Sequence, residues 1–408
     1  MSTHVIVGAG QAGAQAATAM RRAGFAGRIV LIGDEQSLPY ERPPLSKGYL
    51  NQDSSKLDHF YEPAEFVALD IEVITGVTVD RIDPAGRRVS LSLGGDLPYD
   101  ALVLATGSRP RRLVMPGHET ALQLRTFEDA ERLRSRLTRG ASVLCIGAGV
   151  IGLEVAAAAR QRGCSVTVVD VAGNIMGRSL DLPMATQLRE LHESRGVRFM
   201  LGAEVAELAD SGALLTTGER IAADVAIFGI GVDRRVELAR DAGIAVNRGV
   251  LVDGKGQTSH AGVYAAGEVA EFWSELAGTH LALESWRHAQ DHGALVGRVL
   301  AGADETYREV TWFWSDQYDV NIQLIGVTAG DRIADRVRRE NGPGSHSVFY
   351  FDAAGSMVGA IAWNAPRDIM AATRIITQGR MVDASLLVDP GVSLQTIIRD
   401  RSALVQSG

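Results

Sequence analysis

Two glycine-rich stretches could each hold the pyrophosphate of a dinucleotide. They are "IVGAGQAGAQAA" and "CIGAGVIGLEVA", which carry Gly8, Gly10, Gly13, Gly147, Gly149 and Gly152. Glycines at this spacing permit a tight turn and let the backbone approach phosphate oxygens at the amino end of a helix. One chain therefore contains two candidate dinucleotide loops.

The residues around each loop predict the strand–helix–strand unit that such a loop requires. "HVIV" and "SVLCI" are short β-branched runs that predict strands before the glycines. Ala-rich stretches that end near Gly24 and Gly163 predict the helices, and "RIVLIGDE" and "SVTVVD" predict the second strands. A single GxGxxG pattern is weak evidence, whereas two complete units are strong evidence for two Rossmann-like domains.

An acidic residue about 20 residues beyond such glycines can bind a ribose diol. In the second unit this residue is Asp170, at the end of its strand, and in the first unit it is Asp34. A carboxylate at this place repels a 2′-phosphate, so we expect NADH rather than NADPH in the second unit. Glu35, next to Asp34, is interpreted as a solvated loop residue.

Composition excludes several classes of function. The chain has 408 residues and a net charge of −8, which argues against a nucleic-acid-binding protein. It contains no apolar run of 18 residues, so we expect no membrane span and a cytoplasmic location. Cys145 and Cys164 are the only cysteines, too few for a disulfide framework, a redox-active pair in the usual spacing or an iron–sulfur cluster. We expect no metal site.

Further motifs extend the pattern along the whole chain. Three strand-then-glycine stretches are "LVLATGSRP", "ADVAIFGIG" and "AGVYAAGEVA", and four other stretches are "PYERPPLSKGYL", "LRTFEDA", "LES" and "WFWSDQY". With these motifs the chain resembles the flavoproteins with two dinucleotide-binding domains. Within them it resembles the NADH-dependent ferredoxin reductases of bacterial oxygenase systems, members of the pyridine nucleotide-disulfide oxidoreductase superfamily.

The resemblance implies an α/β fold in which an NAD-binding Rossmann-like domain is inserted into an FAD-binding one, followed by a carboxyl-terminal α+β domain. We expect the FAD-binding domain at 1–110 and 241–310, the NAD-binding domain at 111–240 and the third domain at 311–408. In the last segment, "VNIQLIGV", "SVFYFD" and "SMVGAIAW" predict strands, and helices are expected near 367–379 and 392–404.

The resemblance also implies the residues of the two cofactor sites. For tightly bound FAD they are Gly8, Gly10, Ala12, Gly13, Asp34, Lys47, Val79, Arg125, Glu268 and Trp286. For exchangeable NADH they are Gly147, Gly149, Ile151, Gly152, Glu154, Asp170 and Gly231. Two departures are visible: Glu268 stands where the family usually has Asp, and "GIGVDRR" lacks the Pro-Asn pair that often follows its glycines.

No acid or base is expected in the hydride transfer, which Lys47, Glu154 and Trp314 would align. Each of these residues has a simpler interpretation. Lys47 could be a surface lysine, Glu154 could stabilise the first turn of its helix through the helix dipole, and Trp314 could be a core aromatic residue.

The expected function is electron transfer from NADH through FAD to a [2Fe–2S] ferredoxin that serves a cytochrome P450 monooxygenase or a ring-hydroxylating dioxygenase. The alternatives are reduction of a small organic acceptor, such as a quinone or an ascorbyl radical, and a signalling flavoprotein. Because ferredoxins are generally acidic and this chain is also acidic, docking requires a local basic patch, which we place near Arg287 and Arg308. We expect a monomer.

Overall fold

Short apolar strands and glycine-rich turns build this protein, whose computed structural model describes residues 2–51, 57–308 and 310–399. The chain divides into two units. Unit 1 takes its described residues from Met1–Glu41, Lys56–Arg109 and Asp233–Thr311. Unit 2 takes its described residues from Arg42–Ser55, Pro110–Val232 and Trp312–Gly408. Unit 1 is therefore discontinuous in sequence, with unit 2 segments between its parts.

A five-stranded parallel sheet forms the centre of unit 1. Its strands are β1 (Thr3–Val7), β2 (Arg28–Ile32), β3 (Ile71–Ile74), β7 (Ala101–Leu104) and β18 (Val263–Ala265). They lie in the order β18-β7-β1-β2-β3, and β1 is joined to β2 through helix α1 (Gln11–Arg22). The inner strands β1, β2 and β7 are mostly apolar and buried, as a parallel sheet covered on both faces requires, whereas the edge strand β3 is largely partly exposed.

Smaller elements complete unit 1. Its other strands are β4 (Val79–Asp83), β5 (Arg88–Leu91), β6 (Asp96–Pro98), β17 (Val250–Val252), β19 (Ala270–Ser274) and β20 (Thr279–Leu281). Its other helices are α3 (Pro63–Ala68), α7 (Glu237–Asp241) and α8 (Trp286–Leu300). Helix α8 packs closely on α1, because a Cβ atom at Gly297 would lie 2.3 Å from the carbonyl oxygen of Ala16. β8 (Ser108–Pro110) and β16 (Val232–Arg234) lie where the chain passes between the units.

Unit 2 contains a second parallel sheet. It consists of β9 (Ser142–Ile146), β10 (Ser165–Asp170), β11 (Val197–Leu201) and β15 (Val225–Phe228), in the order β11-β10-β9-β15. Around it are α2 (Gly48–Asn51), α4 (Phe127–Arg136), α5 (Val150–Gln161), α6 (Leu182–Ser194) and an antiparallel sheet of β12 (Val205–Ala209), β13 (Gly212–Leu215) and β14 (Arg220–Ala222).

The carboxyl-terminal part of unit 2 is an antiparallel sheet with helices. Its strands are β21 (Trp312–Gln317), β22 (Val320–Gly326), β23 (Asp335–Gly342), β24 (Ser345–Phe351) and β25 (Met357–Trp363), in the order β21-β22-β25-β24-β23. Its helices are α9 (Pro366–Thr377), α10 (Ala384–Val388) and α11 (Leu394–Arg399). The sequence did not predict β23, because this edge strand is mostly polar.

The predicted α/β fold class, with Rossmann-like cores and a carboxyl-terminal domain, is confirmed. The domain bounds stay predictions, as does the part of the helix near 392–404 that lies beyond residue 399, outside the described residues. Among the helices that the structure describes, none combines the length and the apolar character needed to cross a membrane.

Candidate functional site

The first glycine loop joins β1 to α1 in unit 1, and its shape requires glycine. Gly8 has a φ of +112°, and a Cβ atom there would lie 2.1 Å from the carbonyl oxygen of Ala105. A Cβ atom at Gly13 would lie 1.9 Å from the carbonyl oxygen of Gly8, whereas Gly10 faces open space. Both polar atoms of the buried Gln11 amide lack hydrogen-bond partners among the described residues. Open space, unused polar atoms and a helix amino terminus together fit a bound pyrophosphate.

Asp34 follows β2, as predicted, and it has a cationic neighbour that the sequence analysis did not identify. Nη1 of Arg235 donates to Oδ2 of Asp34 at 2.7 Å. The backbone of Arg235 is fixed in turn, since its N–H donates to Gly107 and its carbonyl accepts from the Thr106 hydroxyl. The only sequence signal for this contact is the basic "DRR" stretch that replaces the family's usual residues.

Unit 1 also contains the other residues predicted for FAD, with two exceptions. Val79 begins β4, Trp286 begins α8, and Glu268 lies just beyond β18. The indole N–H of Trp286 donates to Oε2 of Glu41 at 2.6 Å, and burial raises the pKa of that carboxyl. The exceptions, Lys47 and Arg125, belong to unit 2.

The second glycine loop, between β9 and α5 in unit 2, repeats the geometry of the first. Gly147 has a φ of +108°, and a Cβ atom at Gly152 would lie 2.0 Å from its carbonyl oxygen. Asp170 ends β10, and its carboxylate accepts hydrogen bonds from the backbone N–H of Ala148 at 2.6 Å and of Ala172 at 2.7 Å. These bonds hold a negative charge beside the loop, where the sequence analysis expects the NADH ribose.

The other predicted NADH residues lie around this loop. Gly149 precedes α5, Ile151 is partly exposed in the first turn of the helix, and Gly231 has a φ of +100° beyond β15. Their contacts with NADH, like those of the residues predicted for FAD, stay predictions.

Glu154 is the most deeply buried charged group in this set of predicted residues. It lies on α5 and is 2% exposed. Its Oε2 accepts from Nζ of Lys47 at 2.9 Å and from the Ser46 hydroxyl, and its Oε1 accepts from the Ser315 hydroxyl at 2.6 Å. Nζ of Lys47 also lies 5.5 Å from the ring centre of Trp314. The structure thus brings together the three residues expected to align hydride transfer, and neither carboxylate oxygen lacks a donor.

The "PYERPPLSKGYL" segment presents Ser46 and Lys47 to Glu154 through a short 3₁₀ helix, Pro43–Ser46. The prolines suit its first turn, where no N–H donor is needed. The guanidinium of Arg42 anchors the segment by donating to the carbonyl of Arg125 at 2.7 Å. Arg125 precedes α4, and its own N–H donates to Asp129.

A chain of hydrogen bonds continues from Glu154 into the antiparallel sheet. Nε2 of Gln317 donates to the Ser315 oxygen at 3.0 Å, and Nε2 of His192 donates to Oε1 of Gln317 at 2.6 Å. The Tyr318 hydroxyl lies 3.2 Å from Nδ1 of His192 and donates to it. Each group in this chain therefore donates to the next one nearer to Glu154, and the Glu154 carboxylate accepts the last hydrogen bond. Neither Gln317 nor His192 is among the site residues expected from the sequence, although Gln317 lies within "WFWSDQY".

The two cysteines are buried and free. Burial raises the pKa of the Cys145 thiol to about 12, and it also raises the pKa of Cys164. A thiol reacts as its thiolate, so neither side chain is suited to redox chemistry. Among the described residues, no cluster of His, Cys, Asp and Glu could hold a metal ion.

We predict that the Lys47–Glu154 pair is energetically coupled. The Lys47→Met variant should lower the free energy of unfolding by about 3 kcal/mol, since it leaves a buried carboxylate without its cation. The double variant Lys47→Met/Glu154→Gln should regain most of this loss. Guanidinium unfolding followed by circular dichroism measures both values.

The matched control for this double-mutant cycle is Lys255→Met, because Lys255 forms an exposed pair with Asp304. Loss of this exposed pair should change the free energy of unfolding far less than loss of the Lys47–Glu154 pair, because solvent screens it. Equal destabilisation by Lys47→Met and Lys255→Met would contradict the coupling.

We predict an acid-sensitive contribution from His192, whose pKa burial lowers to about 4 from 6.5. The folded form binds this proton less readily than the unfolded form, so the stability from neutral His192 is complete above pH 6.5. It is lost as the pH falls through about 4, with a slope of up to about 1.4 kcal/mol per pH unit. Urea unfolding between pH 7 and 4 measures the slope.

The His192→Gln variant should have a smaller slope than the wild type, whereas the control variant His59→Gln, at an exposed site, should not. Identical slopes in both variants would disprove the assignment.

Comparisons with known proteins agree with a chain that carries two dinucleotide loops and a carboxyl-terminal antiparallel sheet. Residues 2–293 match the family model described as pyridine nucleotide-disulphide oxidoreductase, and residues 312–398 match the one described as reductase C-terminal. The chain is 41% identical over 401 residues to the anthranilate 1,2-dioxygenase system ferredoxin–NAD(+) reductase component of Burkholderia cepacia, covering 97% of this chain and 98% of that protein.

Two solved structures are similar over nearly the whole chain. The ferredoxin reductase for the CYP199A2 system from Rhodopseudomonas palustris has a TM-score of 0.93 and 35% identity, covering 97% of this chain and 99% of its own. The covalent putidaredoxin reductase–putidaredoxin complex has a TM-score of 0.93 and 33% identity, with 98% and 99% coverage. With these matches and its two glycine loops, the chain belongs to the pyridine nucleotide-disulphide oxidoreductase family.

Proposed function

We propose that this chain is an NADH-dependent ferredoxin reductase that passes electrons through FAD to a [2Fe–2S] ferredoxin of a monooxygenase or ring-hydroxylating dioxygenase system. The observation that carries the proposal is the pair of glycine loops in a chain whose two cysteines are both buried. Two dinucleotides can be held, and electrons must leave through FAD rather than through a dithiol. The names of the relatives, reductase components of oxygenase systems, favour the same acceptor.

Bound FAD would supply the redox chemistry, which comprises two-electron exchange with NADH and one-electron transfer to an acceptor. The first glycine loop and Asp34 would bind it in unit 1. The second loop would bind NADH, with the fixed carboxylate of Asp170 accepting from the ribose hydroxyls and disfavouring a 2′-phosphate.

The chain's own residues would orient the reacting groups. Lys47 is held by Glu154 and lies beside Trp314, so its ammonium has a fixed place rather than the freedom of a surface lysine. Lys47, Ser46 and Ser315 all donate to the carboxylate of Glu154, which fixes the orientation of that side chain. No residue of this set is required to take or give a proton during hydride transfer, so the protein contributes orientation and electrostatics.

We predict that the purified protein contains about one FAD per chain and reduces a [2Fe–2S] ferredoxin faster with NADH than with NADPH. Asp170→Asn removes the charge and keeps an acceptor oxygen for only one of the two backbone amides. It should narrow the preference for NADH by about tenfold, the size of one lost charge contact. Steady-state kcat/KM values for both nucleotides measure the change.

The control variant is Asp224→Asn, a change at an exposed carboxylate of unit 2 that also accepts from a backbone N–H. It should leave the preference unchanged. A protein that binds no FAD, or that reduces quinones but no ferredoxin, would overturn the proposed function; faster reduction by NADPH would overturn the role of Asp170.

For the partner, we propose docking on the surface of unit 1 that includes Arg287 and Arg308. Both side chains are exposed, but Arg287 is paired with Asp291 at 2.5 Å, one helical turn away. The pairing reduces the charge that Arg287 offers to an acidic partner. Arg308 is therefore the stronger candidate of the two. The monomeric state and the cytoplasmic location stay predictions.

We predict that Arg308→Glu raises the KM for ferredoxin severalfold and more than Arg287→Glu does, because it reverses a charge at the docking surface. Ferricyanide reduction should change little, since this small acceptor needs no docking. Arg28→Glu is the control, at the opposite end of β2 from Asp34. Salt above about 0.1 M should slow the wild-type ferredoxin reaction, because the Debye length falls below about 10 Å. A rate that ignores both salt and these substitutions would rule out electrostatic docking here.

A further inference from the structure

The turn that follows β18 lies against the first glycine loop. Gly267 has a φ of +74°, and a Cβ atom there would lie 2.5 Å from Cβ of Ala12. Ala12 is in the first turn of α1, two residues beyond Gly10. The turn formed by Gly267 and Glu268 therefore borders the loop at which unit 1 would bind a dinucleotide.

Three side chains hold the backbone of this turn. The N–H of Gly267 donates to Nδ1 of His292 at 3.2 Å, and Nε2 of His288 donates to the carbonyl of Gly267 at 3.3 Å. Nε of Arg234 donates to the carbonyl of Glu268 at 3.0 Å. Three consecutive peptide groups are thus bound by side chains from outside the turn.

The hydrogen-bond chemistry fixes the tautomer of both histidines. A backbone N–H can only donate, so Nδ1 of His292 is the acceptor and the proton is on Nε2. The carbonyl of Gly267 can only accept, so Nε2 of His288 carries the proton. Nδ1 of His288 then accepts from the Tyr307 hydroxyl, which lies 2.7 Å away. Burial lowers the pKa of His288 to about 4 and the pKa of His292 well below its usual range, so both rings are neutral at pH 7.

A histidine at position 292 is energetically unfavourable in itself, and its contact with the backbone of Gly267 explains why it is there. The ring is fully buried, and Nε2 has no hydrogen-bond partner among the described residues. An unsatisfied buried donor is unfavourable, and an apolar side chain of similar size would avoid it. What His292 supplies that an apolar residue cannot is the acceptor for Gly267.

Arg234 comes from the "GIGVDRR" stretch, which departs from the family pattern. Its guanidinium also donates to the carbonyl of Ala282 at 2.7 Å and lies 3.4 Å from Oε1 of Glu284. The side chain is 13% exposed, so it is a held group and not a solvated surface arginine. One planar cation thereby joins the turn to the segment that leads into α8.

We propose that Arg234, His288 and His292 are positioning residues that fix the turn of Gly267 and Glu268 against the first glycine loop and so set the affinity of unit 1 for FAD. The inference rests on the proposed function, because it assigns FAD to this loop. These three residues lie outside the predicted FAD site and would hold that site in its binding geometry.

The test compares FAD affinity in folded apoprotein, measured by quenching of flavin fluorescence, with the thermal midpoint of the same apoprotein. His292→Leu should weaken FAD binding about tenfold, and Arg234→Met should do the same, because each removes one anchor of the turn. His292→Asn keeps an acceptor near Nδ1 and should bind within about threefold of wild type. Visible circular dichroism of the bound flavin should change in the first two variants only.

The matched control is His346→Leu, which replaces a buried histidine of unit 2 whose pKa burial also lowers. It should lower the thermal midpoint but leave FAD affinity unchanged. If His292→Leu does not fold, Arg234→Met tests the same turn from the carbonyl of Glu268. If both variants bind FAD as tightly as the control variant, the positioning role of Arg234 and His292 is overturned, while the proposed function is left intact. A wild-type protein that binds no FAD would overturn both.

Discussion

The contact between the first and third glycines of each loop is the constraint on which both dinucleotide sites depend. In unit 1 the carbonyl oxygen of Gly8 occupies the space that a Cβ atom on Gly13 would need, and in unit 2 Gly147 and Gly152 repeat the contact. A side chain at the third glycine would push the helix away from its strand and remove the helix amino terminus from the phosphate-binding place. Both loops therefore use the same backbone contact. In each loop, no side chain fills the space beside the second glycine, Gly10 or Gly149.

The two copies differ in how they hold the acidic residue at the end of the second strand. Asp34 is paired with the guanidinium of Arg235, whereas Asp170 accepts two backbone N–H groups of its own unit. A guanidinium partner lessens the negative charge that a ribose or phosphate would meet, while amide donors leave the net charge in place. In the proposed function, Asp34 would therefore meet FAD as a paired carboxylate, whereas Asp170 would meet NADH with its net charge in place.

Burial of Glu154 explains much of the polar structure in unit 2. A carboxylate that is 2% exposed must be supplied with donors, and Lys47, Ser46 and Ser315 supply them. Gln317 donates to Ser315, and His192 donates to Gln317, so one buried charge organises side chains from a loop, a helix and a strand of the antiparallel sheet. The "RPPLSK" and "WFWSDQY" motifs are linked by this requirement, although about 270 residues separate them in the printed sequence.

The sequence by itself determined the local features: the two strand–glycine–helix units, the strand-end carboxylate of Asp170, helices α1 and α5, and the absence of a cysteine pair in the usual redox spacing. These follow from periodicity and from the backbone freedom of glycine, both of which are local. Only the tertiary structure revealed the partners of buried polar groups, such as Arg235 for Asp34, the chain from Glu154 to His192, and the histidines that hold Gly267. A hydrogen-bond partner is chosen by distance in space, and residues such as Ser46 and Glu154, or Gly267 and His292, become neighbours only when strands and helices pack.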